Sequence, residues 1–209
     1  MLRLYVIFVV SGFAALLYQV VWQRTLFAIY GINIESVTVI VTAFMLGLGL
    51  GSLLGGSLSK DAKRPALLLF SLVELSIGIY GFLSLGLFRL VGSFTLGAPA
   101  LVTFVIAFAL VLLPTVLMGA TLPLLVAHAV RISGNVGRSV GVLYFVNTLG
   151  SALASAVAVF VLLGNLGQKG TVTVAACLNL MVSALAFLQH MEEKRKNVAV
   201  GVTPASTAP

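Results

Sequence analysis

The sequence predicts an all-α fold, a polytopic membrane helical bundle, and three observations predict it. Of 209 residues, 60% are hydrophobic and only 8% are charged. The mean hydropathy is +1.18, and a soluble domain of this size could not cover so much apolar surface. The few charges and turn-forming clusters divide the chain into six apolar stretches, each long enough for the ~20 residues that a crossing requires. These stretches are too long for barrel strands, which alternate over ~10 residues, and lipid leaves the backbone no other way to satisfy its polar groups than a helix.

The stretches run over 4–23, 34–58, 66–88, 98–127, 139–163 and 169–190. The first, preceded only by Arg3, has the look of a signal peptide, yet it continues through Tyr18 and Trp22 without a small-residue cleavage site and reads as a retained helix. It ends in YQVVWQR, which places Gln19 and Gln23 one turn apart on one face and pairs Tyr18 with Trp22 on the adjoining face. Aromatics and cations collect at headgroup depth, so Tyr18, Trp22 and Arg24 read as interfacial anchors. Gln19 and Gln23 suggest a polar seam facing the bundle interior. Glu35, just past the first loop, is a solvated acid or a partner for Arg24.

On the second stretch Gly47, Gly51 and Gly55 recur every four residues, a groove that lets a neighbouring backbone approach. The fifth repeats the device with Gly137 and Gly141, then with Gly150, Ala154 and Ala158. Tight packing is one reading of these faces, and a sliding contact between rocking helices is the other. GLGLGSLLGG does not meet the dinucleotide spacing, since Ser52 and Leu54 interrupt it and no strand precedes it. GNLGQKG lacks the spacing and the hydroxyl residue of a phosphate loop.

The third stretch carries Glu74 within SLVELSIGIYGFL. An ionised acid at helix centre costs about 2.5–3.5 kcal/mol on insertion scales, so it must face protein, water or a cation. Three readings stand: a protonated structural acid, a partner of Arg24 or Arg89, or a site for a proton or cationic ligand. In the fourth, Pro114 and Pro123 flank Gly119, which predicts a kink whose freed carbonyls could line a polar cavity. Asn147 and Asn179 are candidates for interhelical hydrogen bonds. His128 reads as interfacial, and no set of metal ligands accompanies it. Cys177, the single cysteine, reads as packing.

The chain divides into a transmembrane domain, 1–192, and a polar tail, 193–209, expected to be disordered from about residue 198 because its small residues, Pro and Thr cannot build a core. With the N-terminus in the cytoplasm, Arg3, Lys60, Lys63, Arg64, Arg131, Arg138, Lys194, Arg195 and Lys196 fall inside and Arg24, Arg89 and Lys169 outside. Nine against three obeys the positive-inside rule and puts both termini in the cytoplasm. The net charge of +7 then reads as topology and attraction to anionic lipid, with no stacking aromatics to point to nucleic acid.

Five strings, SGFAALLYQVVWQR at 11–24, AFMLGLGLGSLLGG at 43–56, VELSIGIYG at 73–81, LLPTVLMGATLPLL at 112–125 and VGRSVGVLYFVNTLGSALAS at 136–155, resemble the membrane domain of the fused spermidine synthase-like family. That family joins membrane helices to an aminopropyltransferase domain in bacterial proteins. The resemblance implies the bacterial cytoplasmic membrane and a link to polyamine metabolism. No Rossmann-type catalytic domain follows here, so no catalytic residue carries over, no cofactor is expected and the chain is not expected to be an enzyme.

Six helices with both ends inside also look like half of a major facilitator. GGSLSKDAKRP is similar to that superfamily's loop between helices two and three, with Asp61 one place late and Lys63 where a second Gly belongs.

Three functions follow as expectations. One is a non-catalytic module that anchors a separate aminopropyltransferase-like enzyme. Another is a half-size transporter of a small cation such as a polyamine, working as a dimer, with Glu74, Gln19, Gln23 and Asn147 lining the pathway. The third is a structural subunit of a larger membrane complex. Beyond the bilayer, a homo-oligomer or other membrane subunits are expected partners in each case.

Overall fold

The computed structural model describes residues 1–31, 34–61, 63–95 and 97–199. Among them every regular element is helical: α1 (Leu2–Tyr30), α2 (Ile34–Ser59), α3 (Ala66–Thr95), α4 (Ala100–Ser133), α5 (Val136–Val157), a π-helical turn (Ala158–Leu162) and α6 (Leu163–Ala199). Five helical stretches are long and apolar enough to cross a membrane. The last of these, Val136–Val198, has 63 residues. At 1.5 Å per residue it would be about 95 Å long if straight, far more than the ~30 Å hydrocarbon core of a bilayer.

It is not straight. Gly167, at φ 64° and ψ −172°, breaks the helix, and a side chain would resist that left-handed φ. The carbonyl of Val161, in the π-helical turn before the break, is taken by Asn165 Nδ2 at 2.7 Å. Both arms of this stretch pack against α1. Near the break, Thr25 of α1 donates to Gln168 Oε1 at 3.1 Å, whereas near the C-terminal end Arg3 pairs with Glu192 at 3.1 Å.

Such polar contacts define the two ends of the bundle. At one end Arg131, after α4 has run its length, donates to the carbonyl oxygens of Arg64 at 2.8 Å, Asp61 at 3.1 Å and Ser59 at 3.3 Å, clamping the α2–α3 loop. Asp61 braces the loop from within, accepting from the Lys63 amide at 2.9 Å. The Arg3–Glu192 pair joins this end through Glu193, whose carboxylate lies 3.4 Å from His128 Nε2. The tight α4–α5 turn lies here too, made by Gly134 at φ 66° and by Asn135, whose side chain caps α5 by accepting from the Arg138 amide. At the opposite end Tyr30 and Thr95 share a hydrogen bond of 2.8 Å.

The packing is reciprocal. α1 lies on α5 and α6, α4 lies on α2 and α3, and α3 lies on α6. Exchanging α1 with α4, α2 with α5 and α3 with α6 returns these five pairs, whereas the further contact of α1 with α3 has no comparable counterpart between α4 and α6. Since α1 starts at the charged end and α4 at the opposite one, the two three-helix units run in opposite senses, an arrangement of inverted repeats familiar in membrane proteins.

Helices overrun the apolar stretches at most boundaries. α1 continues to Tyr30 and α3 to Thr95, while α6 carries EEKRK as helix to Ala199. Residues 200–209 of the expected tail, and the side chain of Glu35, lie outside the described residues.

Candidate functional site

Among the described residues the one fully buried carboxylate lies at the junction of α1, α3 and α6. Glu74 of α3 is 0% exposed. Its two carboxylate oxygens are both engaged: Ser11 Oγ of α1 donates to Oε1 at 2.5 Å, and Asn179 Nδ2 of α6 donates to Oε2 at 2.5 Å. About one helical turn away, Ser183 of α6 donates to the carbonyl oxygen of Ser71 at 2.8 Å. Gly78 lets α6 come close, since a Cβ there would stand 3.0 Å from Leu180 Cδ2. The junction therefore rests on small residues at its contact points and on one acid at its centre.

Of the residues expected to share a pathway with Glu74, none bonds to it. Gln19 is half-buried on α1. Gln23 lines an open groove at the opposite end with Val20, Arg24, Phe27, Ala28 and Gln168. Asn147, on α5, lies against Gly12 on another face of α1, where a Cβ would meet its Oδ1 at 2.5 Å. Ser151 secures that contact by donating to the Gly12 carbonyl oxygen at 3.0 Å. The expected seam is divided because α1 is wrapped on several sides. Asn179, expected only as an interhelical bond, is the true partner of the acid.

Arg24 and Arg89 make no ion pair with Glu74 among the described residues. Tyr18 and Trp22 are not interfacial anchors. Both are 0% exposed and stack with centroids 5.0 Å apart, and Trp22 Nε1 donates to Ser84 Oγ of α3 at 3.0 Å. The indole N–H finds its partner inside the bundle, so the ring needs no headgroup. His128 is buried at the charged end, its Nε2 3.4 Å from the Glu193 carboxylate. Cys177, expected in packing, is exposed on α6.

The carbonyls freed by the prolines of α4 are taken by neighbouring helices. Pro114 cannot donate to the carbonyl of Leu110, and Tyr80 Oη of α3 donates to that oxygen at 2.6 Å. Pro123 likewise leaves the carbonyl of Gly119, which Ser52 Oγ of α2 takes at 3.2 Å. Each freed acceptor is satisfied by a hydroxyl from a different neighbour.

Gly47, Gly51 and Gly55 are packing glycines. A Cβ would strike Thr115 at Gly47, the Val116 carbonyl at Gly51 and the Ala120 backbone at Gly55. Gly150 does the same for α5 against the Val9 carbonyl of α1. Gly137 and Gly141 are different: no neighbour lies closer than 3.9 Å to a Cβ at Gly137, and none within 4 Å at Gly141. They belong to the exposed face of α5, where the spacing of glycines is not used within the chain.

At the charged end Arg3, Lys60, Lys63, Arg64, Arg131, Arg138, Lys194, Arg195 and Lys196 are all exposed. Asp61, Glu192 and Glu193 are the acids among them, each committed to a neighbouring cation or imidazole. The hydrogen bonds of Arg131 tie the backbone of Ser59, Asp61 and Arg64 to this surface. Among the described residues no group of three or more His, Cys, Asp or Glu side chains is arranged to hold a metal. Comparison with protein-family models, with curated proteins and with solved structures finds no match.

Proposed function

We propose that this chain is a non-catalytic membrane module of the bacterial cytoplasmic membrane, crossing it six times with both termini inside. In this reading its basic end docks a separately encoded aminopropyltransferase-like enzyme. The five strings that resemble the membrane domain of the fused spermidine synthase-like family supply the link to polyamine metabolism. The break at Gly167 supports the sixth crossing, because the arm that follows it runs along α1 from Thr25, bonded to Gln168, to Arg3, paired with Glu192.

The observation that carries the module over a transporter is the state of Glu74. A pathway for a cation would need that carboxylate to share space with Gln19, Gln23 and Asn147. Instead both its oxygens are engaged by Ser11 and Asn179, and it is wholly buried. It pins three helices. The fixed loop at the basic end supports docking, since a rigid, positively charged surface both attracts and orients an acidic partner.

Copurification from mild detergent tests the proposal. An aminopropyltransferase-like protein should accompany the module in fixed ratio and be lost when Lys63 and Arg64 are both changed to Glu. Isolation of the module alone under several mild conditions would overturn it.

A further inference from the structure

Glu74 raises a question of charge. Its two neighbours, a hydroxyl and an amide, are neutral, and no Lys, Arg or His lies within ion-pair distance of it among the described residues. On the helices packed against α3, every Lys, Arg and His sits toward an end of the bundle. Away from the ends the titratable side chains are the buried Tyr18 of α1, Tyr80 of α3 and the exposed Cys177 of α6, and none carries positive charge. An ionised Glu74 would thus be a bare anion in a low-dielectric interior, which two neutral hydrogen bonds do not offset.

A second observation points the same way. Asn179 Oδ1 is buried and has no hydrogen-bond partner, although its amide stands against the carboxyl group. Amide nitrogen and oxygen exchange places on a half-turn of the side chain, and the choice between them rests on the bonds they make. An ionised carboxylate can only accept, and would leave that oxygen orphaned. A carboxylic acid has a proton to give it.

We propose that Ser11, Glu74 and Asn179 form a proton-binding site in the bundle interior. Glu74 is carried as a neutral acid that donates to Asn179 Oδ1 and accepts from the Ser11 hydroxyl through its other oxygen. One proton then answers the missing positive charge and gives Asn179 Oδ1 a donor, while the half-turn moves Nδ2 to the place the oxygen held. α1, α3 and α6 close on an acid that has taken up its proton, so assembly of the junction and protonation are one event. The inference concerns the interior alone and stands or falls apart from the docking of any enzyme.

Infrared spectroscopy of the purified protein in lipid bilayers at neutral pH tests it. A carboxylic C=O band should be present in the wild type, shift in deuterium oxide and vanish in Glu74→Gln, whose amide can replace the acid without charge. If Glu74→Gln does not fold, Asn179→Leu serves instead, and the band should move to higher frequency as it loses its acceptor. A spectrum in which Glu74→Gln removes only a carboxylate band, or Asn179→Leu leaves the acid band unmoved, would overturn the proposal. So would loss of the acid band on adding sodium or spermidine, which would make the ligand a cation.

Discussion

At the scale of single residues, the bundle is held by polar groups that find partners on other helices. Glu74 is legible in the sequence as an expensive residue, because its cost follows from composition alone. Its partners are not legible: Ser11 lies 63 positions away and Asn179 lies 105 away, and nothing local selects them over Gln19 or Asn147. The prolines show the same limit. Pro114 announces a freed carbonyl, but only the fold reveals that Tyr80 reaches it. Removing that hydroxyl leaves the Leu110 carbonyl without a donor, so Tyr80→Phe should destabilise the bundle by about 1 kcal/mol, within the range for buried and membrane hydrogen bonds. Unfolding in bicelles checks this. Stability equal to that of the wild type would show that Leu110 finds another donor.

At the scale of elements, helix existence follows from apolar length, since lipid leaves the backbone few alternatives. Helix ends do not follow so well. Apolar stretches report where hydrocarbon ends, whereas α1, α3 and α6 continue past it because their end turns find tertiary partners such as Thr95 for Tyr30 and Glu192 for Arg3. The glycine pattern reads correctly on α2, where a facing helix is present, and not at Gly137 and Gly141, where periodicity alone cannot supply a neighbour. Gly51→Leu should separate α2 from α4, because a Cβ at that position meets backbone, with Gly119 Cα at 2.8 Å. Gly49→Leu should be tolerated, since nothing lies within 4 Å there. Size-exclusion profiles in detergent distinguish them: the first variant should aggregate and the second should elute as wild type. Equal profiles would refute the glycine contact.

At the scale of the whole molecule, the sequence already divides the cations into a rich end and a poor end, and the fold joins the rich end into one surface. That surface was readable because topology signals sit in loops and tails, outside the hydrocarbon, where each charge acts nearly alone. The inverted pairing of three-helix units was not readable, because it resides in contacts between faces of similar apolar composition. Topology itself is open to measurement. In a Cys177→Ser background, single cysteines replacing Lys63 and Asn197 should react with a membrane-impermeant thiol reagent only from the cytoplasmic side. A cysteine replacing Lys169 should react only from the other side. A residue 197 reachable on the same side as residue 169 would mean that the chain crosses five times.

Docking of an enzyme on the basic end is open to mild-detergent copurification with the stoichiometry of bound protein measured. One aminopropyltransferase-like chain should accompany the module in constant ratio and be lost when Lys63 and Arg64 are changed to Glu, while the module itself elutes unchanged. A wild-type module that carries no such chain, or a charge-reversed one that carries it undiminished, would contradict it.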